Sequence, residues 1–503
     1  MPSVMAHIVC APRVLGVEKL KTIHSEDHAS FTTHARKSMR VAHAVIGLAF
    51  LAGCASAPPP DVSQSPNFEV PKQWAAFSTG APQLVDNNWL KSFGSAKLVA
   101  LVDEALNNNR DLRIASANVI EARAIARRAG ADLSPALSAA VSFGRENELN
   151  SSSDPRDSVA IGLSADWEVD VWSSILNGRN AAALDALSQE QLFESVRLSI
   201  AAQVTDAWIV ANGNLALLRI ANEEVAARDR TLSNIRARVA ERSALGVDEN
   251  RARAILAVAR ADEIEADRRL RESVRVIEVL LGRFPDAQSD VFDGLPHLSS
   301  AITAGLPSGL LERRPDIIAA ERSVAAAFFR LDEAQAARLP RITLSANVTA
   351  ANGSLGSAFD PENVVWGLVG GLIAPILSGG ELAEDVNIAT ARQQIALETY
   401  AKTALEAFKE VENALANQGS FLHQLQHQQV AARQFRDTVN ADEERFGAGE
   451  IGLFRLADTR SSLFDARREV IRARVAHLRN RVALHLALGG SFRATPDAPE
   501  QSG

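Results

Sequence analysis

Asn109-Arg110-Asp111-Leu112 opens one Ala-rich segment and Arg314-Pro315-Asp316-Ile317 opens another, with Asp111 and Asp316 standing 205 positions apart. Ser134-Pro135 ends the first segment and Leu339-Pro340 the second, so Pro135 and Pro340 keep the same 205-residue offset. Further along, Leu281-Gly282 and Leu488-Gly489 close two longer stretches at an offset of 207. A nearly constant offset over so many residues is the mark of a duplicated unit. Two copies of one fold in one chain point to a shared task around a pseudo-symmetry axis.

Each unit reads as a helix, two strands and two very long helices. In Ser158 to Trp167, one face carries Val, Ile, Leu, Ala and Trp, and the other Ser, Ala, Gly, Ser and Asp. Ile342 to Thr349 alternates in the same way, with hydroxyl and amide groups on its polar face. Leu137 to Gly144 and the Gly-rich Val364 to Ile376, which carries Pro375, are weaker partners. Ribbons of about ten residues with one apolar and one small or polar face fit transmembrane β-strands. A soluble sheet with one wet face has the same period, and alternation alone leaves both open. Trp167, Trp172 and Trp366 near strand ends suit an aromatic girdle. Four strands cannot close a barrel, and an open edge in lipid leaves backbone groups unpaired. If these strands lie in a membrane, several chains must pool them.

Asn180 to Ala240 and Glu381 to Arg445 contain few helix breakers. At 1.5 Å per residue, such helices reach roughly 90–100 Å. Their narrow apolar stripes, spaced among Ala, Arg, Glu and Gln, predict coiled-coil packing rather than a globular core.

The chain has 503 residues, 47% hydrophobic and 23% charged, with net charge −8. That excludes wholesale disorder, and the mild acidity gives no footprint for nucleic acid. Two cysteines cannot build a disulfide framework or a Cys-based zinc site. The ten histidines include no His-Glu-x-x-His pair, which makes a zincin unlikely, and with no clustered Ser, His and Asp and no metal-ligand spacing neither a metal site nor an enzyme is expected. Gly447-Ala448-Gly449-Glu450-Ile451-Gly452 satisfies a dinucleotide-binding pattern, but the polar Asp437 to Arg445 precedes it where an apolar strand is needed. Its glycines suit a tight turn between two helices.

Val41 to Gly53 is apolar, follows Arg36, Lys37 and Arg40, and is too short to span a bilayer. Such a segment is expected to be a secretory signal. A start at Met39 would give it ordinary length, so residues 1–38 are expected to be a mis-assigned extension. Residues 1–53 carry net +3 and the whole chain −8, so the mature part carries −11. Residues 54–88 follow as a tether, Pro-rich from Pro58 to Pro71. The two repeats are expected at 89–290 and 291–490, before a tail at 491–503.

Leu51-Ala52-Gly53-Cys54 resembles a bacterial lipobox, which implies lipidation of Cys54, palmitate included, while Ala55 lets the chain move to the outer membrane. Gly305 to Ile317, with Arg313, Arg314, Pro315 and Asp316, resembles the most recognisable segment of the TolC-like outer membrane factors, NodT-type lipoprotein branch. Within it, Ser308 suits the cap of a short turn and Pro315 the first turn of the next helix. Pro375 to Gly380, Leu463 to Arg467 and Ala487 to Gly490 match the family as well. The resemblance runs from about Trp89 to Gly490. It implies a mainly α fold with a β-barrel: a homotrimer whose twelve strands form an outer-membrane barrel, continued by an α-helical periplasmic barrel. Its implied function is the exit duct of a tripartite efflux pump for small molecules such as drugs, hence multidrug resistance; such a duct does no chemistry and uses no cofactor. The implied partners are a periplasmic adaptor and an inner-membrane transporter of the resistance-nodulation-division type. By position, Phe454 and Asp458 fall where the family places its constricting apolar and acidic rings. Without the resemblance, Asp458 reads as a solvated helix charge.

Arg455 stands where some relatives carry an acidic residue, and Arg242 where the family usually has a tip glycine. The 207-residue offset pairs Arg251 with Asp458 and Asp248 with Arg455, so the two tips carry swapped charges. Asp–Arg locks within or between copies are expected. Ducts for protein or metal-ion export, and a periplasmic coiled-coil scaffold, are the competing readings; the scaffold has no need of strands with lipid-compatible faces.

Overall fold

A computed structural model describes residues 70–71, 73–76, 89–146, 156–296, 298, 307–353 and 360–490. The signal, Cys54 and most of the tether lie outside the described residues. So do the tail, Gly305 and Leu306, and most of the two strand-connecting loops. By contacts the chain divides after Asp61, and every described helix and strand belongs to the unit from Val62 onward.

The order of elements repeats almost residue for residue. After a 3₁₀ turn at Trp89–Phe93 come α1 (Ala96–Asn108), α2 (Arg110–Ala131), β1 (Ala136–Glu146), β2 (Arg156–Val169), α3 (Ser174–Ala240) and α4 (Gly246–Leu280). The second half has α5 (Ser308–Leu311), α6 (Pro315–Ala336), β3 (Arg341–Asn352), β4 (Val364–Ile373), α7 (Glu381–Gly447) and α8 (Leu453–Ala487). Both α3 and α7 have 67 residues, and both α4 and α8 have 35. At 1.5 Å per residue, α3 and α7 are each about 100 Å long. The alternating stretch through Pro375 stops as a strand at Ile373, where proline can no longer donate to a ladder. Ser308 is the first residue of α5 and makes no side-chain cap; Pro307 stands at the cap instead. Pro315 occupies the first turn of α6, where its missing N–H costs nothing.

The four strands form one antiparallel sheet in the order β1-β2-β3-β4. Register places Val141 opposite Ile161, Leu163 opposite Val348, and Val348 opposite Trp366. Every directly opposed pair shares a face, so the apolar residues of all four strands form one continuous surface. Much of it is open: Leu137 is 74% exposed, Phe143 74%, Trp366 76% and Leu368 72%. The opposite face is small and polar over β1 to β3, while β4 adds Val365, Val369 and Ile373 to it. Ser138 Oγ lies 2.7 Å from Ser164 Oγ, and the Ser345 hydroxyl donates to Asp166 at 2.7 Å. Gly367 makes room for its neighbour, since a Cβ there would stand 2.8 Å from Asn347 Oδ1 on the adjacent strand and push that side chain aside. Trp167 and Trp172 anchor the end of the sheet nearest the helices, donating to the Leu133 and Pro340 carbonyls.

Beside the strands, α3 packs between α2 and α6, and α6 packs on α7. Farther along, α7 packs on α8, α8 on α3, and α3 on α4. Alanines such as Ala201, Ala211, Ala404 and Ala407, all fully buried, let these backbones approach closely. The main core joins Trp89, Phe93, Trp208, Ile209, Ile277 and Leu478. Among the described residues, no helix is long and apolar enough to cross a membrane.

Where each hairpin folds back onto its repeat, the two halves use the same construction with different chemistry. Asn109 caps α2 by accepting from the Asp111 and Leu112 amides, and its Nδ2 donates to the Leu280 carbonyl at 3.0 Å. At the equivalent place, Arg314 Nη1 donates to the Ala487 carbonyl at 3.1 Å. Gly282 and Gly489, at φ +72° and +63°, end the returning helices in left-handed conformation. A Cβ on Gly282 would meet the Asn108 carbonyl oxygen at 2.8 Å, and one on Gly489 the Arg314 Cα at 3.3 Å. Only glycine satisfies both the dihedral and the contact.

Candidate functional site: the hairpin tips and the closing arginine

The second tip turns through Gly447 to Gly452, with Gly449 at φ +76°. Arg242, 207 positions earlier, holds the equivalent left-handed conformation at φ +56°. An arginine there bears a steric cost that glycine escapes. The glycines of the dinucleotide-like pattern thus belong to a helix-to-helix turn.

Phe454 lies in the first turn of α8, half-buried against a cluster of Leu232, Ile235, Ala252, Leu256 and Leu453. That cluster ties the two tips together. The Arg251 guanidinium sits over the Phe454 ring, 4.6 Å from its centroid, a cation–π contact. Asp248 accepts from the Leu245 amide at 3.1 Å and caps α4. Arg455 leans toward Asp442, with Nε 3.8 Å from Oδ2. Asp458 is exposed, and its carboxylate has no ion pair among the described residues. Within one chain, therefore, neither expected Asp–Arg lock forms: Arg251 engages an aromatic ring, and Asp248 is taken up by its own helix end.

The buried polar group at this tip is one the sequence reading missed. Asp442, 3% exposed, accepts from the Thr459 hydroxyl at 2.6 Å and binds α7 to α8. The offset of 207 matches Asp442 with Ile235 and Thr459 with Ala252. At these positions one tip is pinned by a charge-assisted hydrogen bond and the other by apolar contact, its two helices being joined elsewhere by Arg236 and Glu249 at 3.0 Å. Comparing the two repeats position by position would have exposed that difference.

Higher up, Glu224 bridges α3 and α8. It accepts from Arg228 Nη2 at 3.1 Å and Arg468 Nη1 at 2.6 Å, while Arg228 Nη1 donates to the Ala457 carbonyl at 3.0 Å. Glu278 is fully buried and receives the backbone amides of Ala287, Gln288 and Ser289. Burial raises its pKa, but those donors outweigh burial and hold the carboxyl below its ordinary value.

Arg314 forks onto Asp316 through Nε and Nη2 at 3.0 and 2.7 Å, and reaches Glu410 on α7 at 2.6 Å. Burial works against its charge, yet Asp316 and then Glu410 prevail and push its pKa above the usual arginine range. Arg313 packs its stem against the site of Gly489, within 3.4 Å of where a Cβ would stand. The Arg314-Pro315-Asp316 segment is thus a joint among α6, α7 and the end of α8. Among the described residues, no group of His, Cys, Asp and Glu is arranged to hold a metal ion.

Residues 101–283 and 306–490 match the family model described as outer membrane efflux protein. The chain is 31% identical over 477 residues to the pyoverdine export outer membrane protein OpmQ of Pseudomonas aeruginosa, covering 91% of this chain and 98% of that one. It is 29% identical over 450 residues to the cation efflux system protein CusC of Escherichia coli, covering 88% and 97%. The outer-membrane channel OprN superposes with a TM-score of 0.77 at 24% identity, covering 85% of this chain and 99% of that one. A structure of CusC superposes at 0.73 with 25% identity, covering 85% and 99%. The chain belongs to the outer membrane efflux protein family and is an efflux channel of the outer membrane. Its mainly helical fold with one small sheet is the fold of these channels.

Proposed function

We propose that three copies pool their sheets into a twelve-stranded barrel in the outer membrane, continued by their long helices as a tunnel through the periplasm. The observation that carries this reading is the open-edged, four-stranded sheet with one uninterrupted apolar face. Such a sheet is stable in lipid only when its edges find partners. Its other face, small and polar over β1 to β3, then lines water. Cys54 carries lipid chains that add an anchor of ~0.8 kcal/mol per buried methylene. The duct passes small molecules delivered by a periplasmic adaptor and an inner-membrane pump of the resistance-nodulation-division type. Relatives named for pyoverdine, cation and solvent export support a passive path open to varied cargo. Protein export is the alternative cargo for the same architecture.

Phe454, Arg455 and Asp458 form the periplasmic constriction in this reading, with Asp248 and Arg251 of the first tip beside them. Around a three-fold axis, Phe454 makes a dry ring and Asp458 an acidic one. The exposed Asp458 and the Arg251–Phe454 stack fit that role. Asp458→Ala combined with Arg455→Ala is expected to raise single-channel conductance several-fold in planar bilayers. Conductance equal to that of the unaltered protein would remove the gate from these residues.

A further inference from the structure

Between α3, α7 and α8 lies a groove of about 420 Å³, lined by Arg219 and Glu223, by Gln429, Arg433 and Arg436, and by Arg467. Gln429, Arg433 and Arg436 are spaced i, i+4 and i+7 on α7, so they share one helix face. Glu223 is ion-paired with Arg467 at 2.5 Å. Arg219, Arg433 and Arg436 have no ion pair among the described residues, which leaves the groove with three uncompensated positive charges on a chain of net charge −8.

The duplication supplies an internal comparison. At an offset of 207, Arg436 corresponds to Asp229, Arg467 to Arg260 and Arg433 to Ala226. In the first repeat Asp229 and Arg260 neutralise each other at 3.5 Å. In the second, the same pair of positions holds two arginines, and the alanine has become a third. Like charges brought together on packed helices repel, and an anion between them removes the penalty. Guanidinium forks also match carboxylate and phosphate oxygens two at a time. The volume is that of a small-ligand pocket.

We propose that this groove binds a small multivalent anion, one bearing two or more carboxylate or phosphate groups. Arg433 and Arg436 grip it from α7, and Arg219 and Arg467 from α3 and α8. Such binding goes beyond the channel reading and does not depend on it.

Titration calorimetry of the full protein in non-ionic detergent, with inorganic pyrophosphate at constant ionic strength, tests the proposal. Saturable binding is expected, with one site per chain. Arg436→Asp recreates the first repeat's Asp–Arg pair and so preserves the fold; it should weaken binding at least tenfold, about 1.4 kcal/mol, without lowering the thermal midpoint of the unliganded protein. Absence of saturable heat at millimolar pyrophosphate would overturn the proposal, as would binding that Arg436→Asp leaves unchanged. Binding of an acidic helical peptide but not of pyrophosphate, with the same dependence on Arg436, would also overturn it in favour of a protein partner.

Discussion

Leu163→Arg is expected to abolish insertion of the channel while Ser164→Arg leaves it intact. Leu163 sits in the middle of β2, opposite Ala139 on one side and Val348 on the other, on the apolar face. Arginine on a lipid face near the bilayer midplane costs ~2–4 kcal/mol. Three copies of the chain would bear that cost together, a large share of the stability of an ordinary fold. Ser164 is the next residue along, opposite Ser138 and Asn347, and so on the polar face. Its replacement loses one hydroxyl contact and meets water. Outer-membrane fractionation of folded protein reads the difference. Equal recovery of the two variants would mean that the sheet does not face lipid on its apolar side.

Arg314→Ala should weaken the helical part of the channel to a comparable degree. Arg314 holds Asp316, Glu410 and the Ala487 carbonyl together, and its side chain is only 12% exposed. Removing it leaves a half-buried carboxylate and a helix-end carbonyl without their donor, a loss of about 3 kcal/mol after allowing for the partial exposure of the acids. The thermal midpoint in detergent should fall by roughly 3 °C, because the unfolding entropy grows with chain length at ~2 cal/mol/K per residue. Glu410→Gln should fall far less, by an amount typical of a surface pair, ~0–1 kcal/mol, because Glu410 is half exposed. Equal losses from the two variants would place the joint's stability on α7 rather than on the fork with Asp316.

The fold was legible because its periods are simple. Alternation located all four strands, and the offsets of 205 and 207 assigned them to two like units. The sheet's apolar face could be read from single strands, but its continuity could not. Continuity depends on register, which decides that Val348 meets Leu163 and not its neighbour. At the tips, charge pattern misled. The swapped charges at equivalent positions suggested Asp–Arg locks within or between copies, yet equivalent positions in two repeats occupy different places in space, and within one chain no such lock forms. Arg251 therefore met Phe454, which packs across from the other repeat. Ser308 showed a related limit: a good capping residue lay one position too late, behind Pro307. Asp442 and Thr459 resemble any polar pair on a long helix until α7 and α8 are laid side by side.

If the sheet of one chain is a third of a barrel, the need for lipid and the need for two further copies must both survive removal of Cys54, the proposed site of acylation. Residues 55–503, secreted behind a cleavable leader so that no lipid is attached, allow both to be read by membrane partition and by mass determination in detergent. This chain should still need detergent to stay in solution and should have the mass of three copies. A monomer that remains dissolved in water would refute the shared barrel.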